Sequence, residues 1–103
     1  MTPGELDRAV YNVIASWGGG VVRRAIVNDL LHVPSFIRGV PDWDKGVSAS
    51  LQRLQKRRLV FSHDNGGSLS IWGGIRKGLY WSTRKQLQNL YGYTERDFGG
   101  PPR

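Results

Sequence analysis

The most informative segment of this 103-residue chain is residues 47–60, which read VSASLQRLQKRRLV. Val47, Leu51 and Leu54 recur at the spacing of one helical face, so they predict a buried apolar stripe. We therefore expect an amphipathic helix at about residues 44–58, with this stripe packed against the rest of the domain.

The side of that helix opposite the stripe is polar and basic. Asp42 or Asp44 can cap its first turn, and Leu59 is expected to join the buried stripe just beyond its end. A solvated helix face usually mixes charges of both signs, whereas this one has no acid and is a candidate binding surface. Its residues are Lys45, Ser48, Ala49, Gln52, Arg53, Lys56 and Arg57.

The first helix of the chain has a clear start. Thr2 and Glu5 are spaced to form a capping box, with Pro3 at the first helical position. We predict a helix at residues 3–17, ended by the glycines at 18–20. The side chains predicted to face the core are Leu6, Val10, Val13, Ile14 and Trp17.

A strand, a second helix and a loop are predicted next. Residues 21–23 are β-branched at two positions and fit a brief strand, and residues 24–32 carry apolar side chains at helical spacing. Residues 32–41 contain two prolines and a glycine, which predict a loop. Phe36 and Ile37 are expected to pin this loop to the core.

From residue 59 onward, short apolar runs alternate with turns. Asn65 and Gly66 favour the positive φ angles of a tight hairpin turn. Ser82 or Thr83 can cap a final helix, which Gly92 closes. The predicted order is a strand at 59–63, a turn at 64–67, a strand at 68–72, a glycine-rich turn at 73–78, a strand at 79–81, a helix to residue 91 and a flexible tail at 93–103.

Charge is unevenly distributed along the chain, whose formal net charge is +7. Residues 1–44 carry four basic and five acidic side chains, whereas residues 45–90 carry nine basic side chains and one acid, a net of +8. Such segregation raises the electrostatic potential over one part of the surface and favours a polyanionic partner. A solvated basic face with no partner is the alternative.

Composition excludes several classes of protein. The chain has no cysteine, which excludes a disulfide framework, a thiolate zinc site and a cysteine nucleophile. The N-terminal residues lack a signal-peptide pattern, and no apolar run approaches the roughly 20 residues needed to span a bilayer. We expect one domain at residues 1–92 and a cytoplasmic location, associated with the nucleoid if the source is prokaryotic or viral.

The sequence offers no pattern typical of an active site. His32 and His63 have no acidic residues at metal-ligand spacing, and each is expected to be a surface or hairpin histidine. Asp42 and Asp44 are better explained as helix caps than as an acid–base pair. The glycine-rich segment at 73–78 lacks the spacing of a phosphate-binding loop. We expect no enzymatic activity, no cofactor and no metal.

Two segments resemble parts of one known fold. Residues 47–60 resemble the recognition helix of winged-helix transcriptional regulators, in which a V-S-x-x-L-x-x-L-x-x-x-x-L-V pattern leads into the wing. Residues 79–83 and the helix after them are similar to the strand and hydroxyl-capped helix that leave the wing. The resemblance covers about residues 3–91. It implies an α+β winged helix-turn-helix with a three-helix core, a small antiparallel β-sheet (the wing) and a C-terminal helix.

The resemblance implies sequence-specific binding of double-stranded DNA by a small transcriptional regulator, of the repressor or mobile-element (phage) type. The helix at about 44–58 would enter the major groove. The side chains expected to contact bases are Ser48, Ala49, Gln52 and Arg53, with Arg53 suited to guanine and Gln52 to adenine. The side chains expected to contact phosphates are Arg23, Arg24, Lys45, Lys56 and Arg57. A contact from the wing would fall to Arg76 and Lys77.

Aromatic residues near the C-terminal helix leave a second hypothesis open. Four tryptophans are many for a domain of this size to bury, so an exposed aromatic surface would serve a partner. The alternative is that these aromatic residues cover the small core. The candidate surface for a homodimer is Trp81, Leu87, Leu90 and Tyr91. The alternatives to DNA binding are therefore a winged-helix module that binds a protein through this surface, or a winged helix associated with RNA or the ribosome.

Overall fold

A computed structural model of the chain describes residues 1–18, 20–63 and 80–94. They form an α+β domain with helices on a three-stranded antiparallel sheet. The helices are α1 (Pro3–Ser16), α2 (Arg23–Leu30), α3 (Pro34–Gly39), α4 (Trp43–Lys56) and α5 (Arg84–Tyr91), and the strands are β1 (Val21–Val22), β2 (Val60–His63) and β3 (Tyr80–Thr83). The predicted turns and strand at 64–78, and the tail from residue 95, lie outside the described residues.

Three helices begin at the caps that local sequence predicts. The Thr2 side chain accepts from the Glu5 amide while the Glu5 carboxylate accepts from the Thr2 amide, which completes a capping box at α1. Asp42 caps α4, and Thr83 forms a second capping box with Gln86 at α5. Each cap satisfies backbone donors that the first helical turn leaves without a partner.

The prediction of a loop at residues 32–41 is wrong, because α3 lies within it. Pro34 occupies the start of this short helix, where a missing amide donor costs nothing, and Gly39 ends it. Phe36 is fully buried in the core, as expected, but Ile37 is exposed. Successive side chains of a helix differ in direction by about 100°, so a short helix can bury Phe36 while Ile37 points to solvent.

The sheet joins distant parts of the chain in the order β1-β3-β2. β3 pairs with β1 through Val21 and Trp81, and with β2 through Phe61 and Ser82. The two partners of β3 follow α1 and α4 respectively, so this central strand ties the ends of both helices together.

His63, Ser82 and the Gly20 amide form a polar cluster that links β2 to β3 and to the residue before β1. The ring Nε2 atom of His63 lies 2.7 Å from the Ser82 Oγ atom, which also accepts a 2.9 Å hydrogen bond from the Gly20 amide. His63 is buried, so the prediction that it lies at the surface is wrong, whereas His32 is exposed. Its position on β2 turns the ring inward, toward the central strand.

The burial of Trp17 and Trp81 is the reverse of what was expected. Trp81 is 1% exposed and lies in the core, whereas Trp17 is 47% exposed and donates its indole N–H to Asp29 at 2.7 Å. Trp17 is the C-cap residue of α1, so the helical periodicity that assigned it to the core has already ended there. The large side chain at the centre of the domain instead comes from the central strand.

The chain turns sharply after α4. Arg58 has a φ of 60°, in the left-handed region that glycine adopts most easily. Leu59, which follows this turn, is 37% exposed, so its predicted place in the buried stripe is wrong. The stripe itself is confirmed, since Val47, Leu51 and Leu54 are all buried.

A glycine inside α4 has a packing role. A Cβ atom at Gly46 would lie 2.6 Å from the Cγ1 atom of Val40, so only glycine lets the helix approach this closely. Glycine costs about 1 kcal/mol in a helix interior, which the burial of Val40 against the helix offsets.

Replacing Leu54 by alanine should lower the free energy of unfolding by roughly 2–5 kcal/mol, because it leaves a cavity in the core. Leu90→Ala on α5 is the matched control, since Leu90 is 55% exposed and its loss should cost less than about 0.5 kcal/mol. Urea denaturation of both variants tests this packing. Equal losses would contradict the placement of α4 in the core.

Candidate nucleic-acid interface

The rotation of α4 about its own axis is set by a contact with α1. Asp7 on α1 is buried and accepts a 2.6 Å hydrogen bond from the hydroxyl of Ser50. The Arg53 guanidinium donates through both Nε and Nη2, with an Nη2–Oδ1 distance of 2.7 Å. Ser50 and Arg53 therefore belong to the side of α4 that faces α1.

This contact corrects the predicted direction of Arg53. Its position in the helix indicated that Arg53 points away from the core toward a partner, but its guanidinium is bound to Asp7 within the domain. Asp7 was not predicted to have any role. The available signal was a pair of opposite charges beside the apolar stripes of two amphipathic helices, which can meet where those helices pack.

The surroundings of Asp7 favour its charged form. Burial raises the pKa of Asp7, but hydrogen bonds from Arg53 and Ser50 and the positive charges of Arg53 and Arg57 outweigh this effect, so its pKa is lowered. The same contact raises the pKa of Arg53. The pair is therefore ionised throughout the neutral range.

The face of α4 that points outward is narrower than the predicted one. The buried residues of α4 are Val47, Ser50, Leu51 and Leu54. The opposite side of the helix is formed by four residues that follow one another at spacings of four, three and four positions. Three of them are exposed and Ala49 is partly exposed. This outward face of α4 consists of Lys45, Ala49, Gln52 and Lys56.

One edge of the outward face is joined to α2. Arg23, at the start of α2, donates from Nη1 to the Ser48 hydroxyl at 2.8 Å. Ser48 neighbours Lys45 and Gln52 on the helix surface, so this bond holds an arginine beside the outward face. Arg24 is exposed in the same first turn of α2.

Other predicted contact residues lie elsewhere. Arg57 is the exposed C-cap of α4 and lines grooves beside Tyr11 of α1, away from the outward face. Arg76 and Lys77 lie outside the described residues. The structure thus brings together Arg23, Ser48 and the outward face, and separates Arg53 and Arg57 from them.

Two of the four residues of the predicted aromatic partner surface are buried. Trp81 and Leu87 are buried in the domain, so they cannot line an exposed surface. Leu90 is exposed, and Tyr91 is the last residue of α5. The prediction is wrong for the first two residues because β3 is the central strand and Leu87 is on the inner side of α5.

The described residues contain no group of three His, Cys, Asp or Glu side chains that could hold a metal ion. None of the helices in this part of the chain has the length and apolar character needed to cross a bilayer.

Comparison of the chain with protein-family models, with curated proteins and with solved structures finds no match in any of the three. Function must therefore be inferred from the geometry and charge of the domain itself.

The pH dependence of stability should identify Asp7. Its lowered pKa means that the charged pair contributes stability above the unfolded-state pKa of about 3.9, and that this is lost as the pH falls through the lower folded-state value. The difference in unfolding free energy between the native chain and Asp7→Asn should be full at neutral pH and shrink below about pH 4. A difference that stays constant to pH 2 would contradict the lowered pKa.

Arg53→Ala should destabilise the domain by about 1–3 kcal/mol, because it leaves the buried carboxylate of Asp7 with one partner instead of two. Gln52→Ala, one position earlier on the outward face, is the control and should change stability by less than about 0.5 kcal/mol. Thermal and urea unfolding compare the two. If both variants are equally stable, Arg53 does not hold α4 against α1.

Proposed function

We propose that the chain is a winged-helix domain that binds double-stranded DNA as a small cytoplasmic transcriptional regulator, with α4 in the major groove. The observation that carries this proposal is the outward face of α4, where two lysines flank a glutamine and an alanine with no acid among them. A polar, basic and acid-free helix face suits a groove lined by phosphates and base edges.

The order of elements supports the winged-helix fold. Helix, strand, helix, α4, strand, strand and a hydroxyl-capped helix follow one another as the resemblance implies, with α3 added before α4. β3 runs directly into α5, whose cap is Thr83. In this proposal β2 and β3, which pair antiparallel, are the described part of the wing.

The outward face suggests how each side chain would act. Gln52 can donate to and accept from one adenine edge, and the methyl group of Ala49 can contact a thymine methyl. Lys45 and Lys56 are eleven residues apart, or about 16 Å along the helix axis. They stand at the two ends of the outward face, where their long side chains can reach phosphates beside the groove.

Arg23 adds a phosphate contact whose direction is fixed in advance. Its hydrogen bond to Ser48 restrains a side chain that would otherwise lose considerable rotamer entropy on binding. The remaining guanidinium donors are available to a phosphate. Ser48 therefore acts by positioning Arg23, in place of the base contact first assigned to it.

The alternative of a protein-binding module is less well supported, because it depended on an exposed aromatic surface and two of its four residues are buried. Dimerisation, if it occurs, must use other residues than Trp81 and Leu87.

Affinity for duplex DNA should fall steeply with salt. Contacts from Arg23, Arg24, Lys45 and Lys56 correspond to about four phosphates, so log affinity should fall with log salt at a slope of about −3 to −4. Lys45→Ala should flatten the slope by about 0.9. Fluorescence anisotropy with a labelled duplex measures both.

The matched control is Lys85→Ala on α5, which removes the same charge away from the outward face of α4. It should leave the slope for duplex DNA unchanged. Equal effects of the two lysine variants, or a slope near zero for the native chain, would reject the proposed duplex interface.

Sequence discrimination should depend on Gln52. Once a preferred site has been selected from random duplexes, Gln52→Ala should lose about 1–3 kcal/mol of binding free energy on it and far less on scrambled DNA. Arg53→Lys, which keeps a cation near Asp7, should retain the discrimination. If Gln52→Ala lowers the affinity for both duplexes equally, α4 binds the DNA phosphates without contacting bases.

A further inference from the structure

A second basic surface lies outside the outward face of α4. It is a groove of about 680 Å³ between α1, the turn after α4 and α5, a volume within the range of sites that hold nucleotide-sized molecules. The residues lining this basic groove are Tyr11, Arg57, Arg58, Leu59, Arg84, Lys85, Gln88 and Asn89.

The charge of the basic groove has one sign. Its lining has four cationic side chains and no acid. Among the described residues, neither Arg57 nor Lys85 has an acidic partner within ion-pair distance. A polyanion bound here would therefore meet cations from two separate parts of the chain.

A second groove overlaps one end of the basic groove. It shares Tyr11, Arg57 and Leu59 with the basic groove but also contains Glu5 and Asp7. Asp7 is already held by Arg53 and Ser50, and Glu5 caps α1. An anionic ligand would thus favour the α5 end, where acids are absent from the lining.

The basic groove also has an apolar part. Tyr11 is partly buried against the core and borders both grooves, and Leu59 beside it is 37% exposed. A large exposed leucine next to a tyrosine is an unusual lining for a site that holds only inorganic anions. It is suitable for the flat face of a nucleic-acid base.

We infer that the basic groove binds a single-stranded nucleic-acid segment. Arg57 and Lys85 hold its phosphates, a base packs against Tyr11 and Leu59, and the exposed amide of Asn89 faces a base edge. Bases of an intact duplex are stacked inside the helix and cannot reach a recessed tyrosine, whereas those of a single strand can. This site uses none of the outward-face side chains, so it stands or falls separately from the proposed duplex interface.

Anisotropy with a labelled mixed-sequence oligonucleotide of about ten nucleotides tests the inference. The expected salt slope is about −1 to −2, since two cations, Arg57 and Lys85, act at roughly 0.7 each for a single strand. Lys85→Ala should flatten that slope by about 0.7, while Lys45→Ala leaves it unchanged. The same two variants have the opposite pattern on duplex DNA, so failure of either site can be recognised alone.

The contribution of the base is tested at Tyr11. Tyr11→Leu should weaken single-strand binding roughly tenfold, and Tyr11→Phe should retain it. Circular dichroism establishes that both variants are folded. Because Tyr11 also packs on the core, ultraviolet crosslinking of the native chain to an oligonucleotide containing 5-iodouracil gives an independent measurement, with the peptide containing Tyr11 as the expected product.

Three results would overturn the inference: crosslinks confined to peptides of the outward face of α4, equal binding by Tyr11→Leu and the native chain, or displacement of the oligonucleotide by a polyglutamate peptide of equal charge at equal concentration. The last would identify an acidic-peptide site. If Lys85→Ala and Tyr11→Leu both weaken single-strand binding, that result would support the inference even if the chain does not bind the duplex.

Discussion

The buried carboxylate of Asp7 is the contact on which the geometry of both candidate surfaces depends. By accepting from Ser50 and Arg53, it holds one flank of α4 against α1 and so determines which four side chains of α4 face outward. A hydrophobic stripe alone would tolerate some rotation of the helix, because apolar contacts have no preferred direction. Directional hydrogen bonds from these two side chains to a charged carboxylate remove that freedom.

Local rules were sufficient for much of the fold. The capping box of Thr2 and Glu5, the buried stripe of Val47, Leu51 and Leu54, and the strands on either side of residues 64–79 depend on residues close together in sequence. Helical spacing and caps operate over a few residues, so they can be recognised in one chain without knowing what packs against it.

The errors at Trp81 and Arg53 involve partners distant in sequence, whereas the missed helix α3 and the exposed Leu59 reflect local backbone geometry. Trp81 is buried because its strand is central, and that strand order joins residues about sixty positions apart. The direction of Arg53 depended on an aspartate on another helix. Of the candidate site, the basic face of α4 was predictable from the sequence, whereas its boundaries were not, because a contact between helices sets them.

At Arg58 the positive φ of the backbone favours glycine, whereas an arginine side chain adds positive charge to the basic groove. A side chain held at a φ of 60° costs roughly 1–2 kcal/mol relative to glycine, yet glycine would remove a cation from the wall of the basic groove. The stability of the domain alone would favour glycine at this position. Arg58→Gly would therefore relieve the backbone conformation and at the same time make the basic groove less positive.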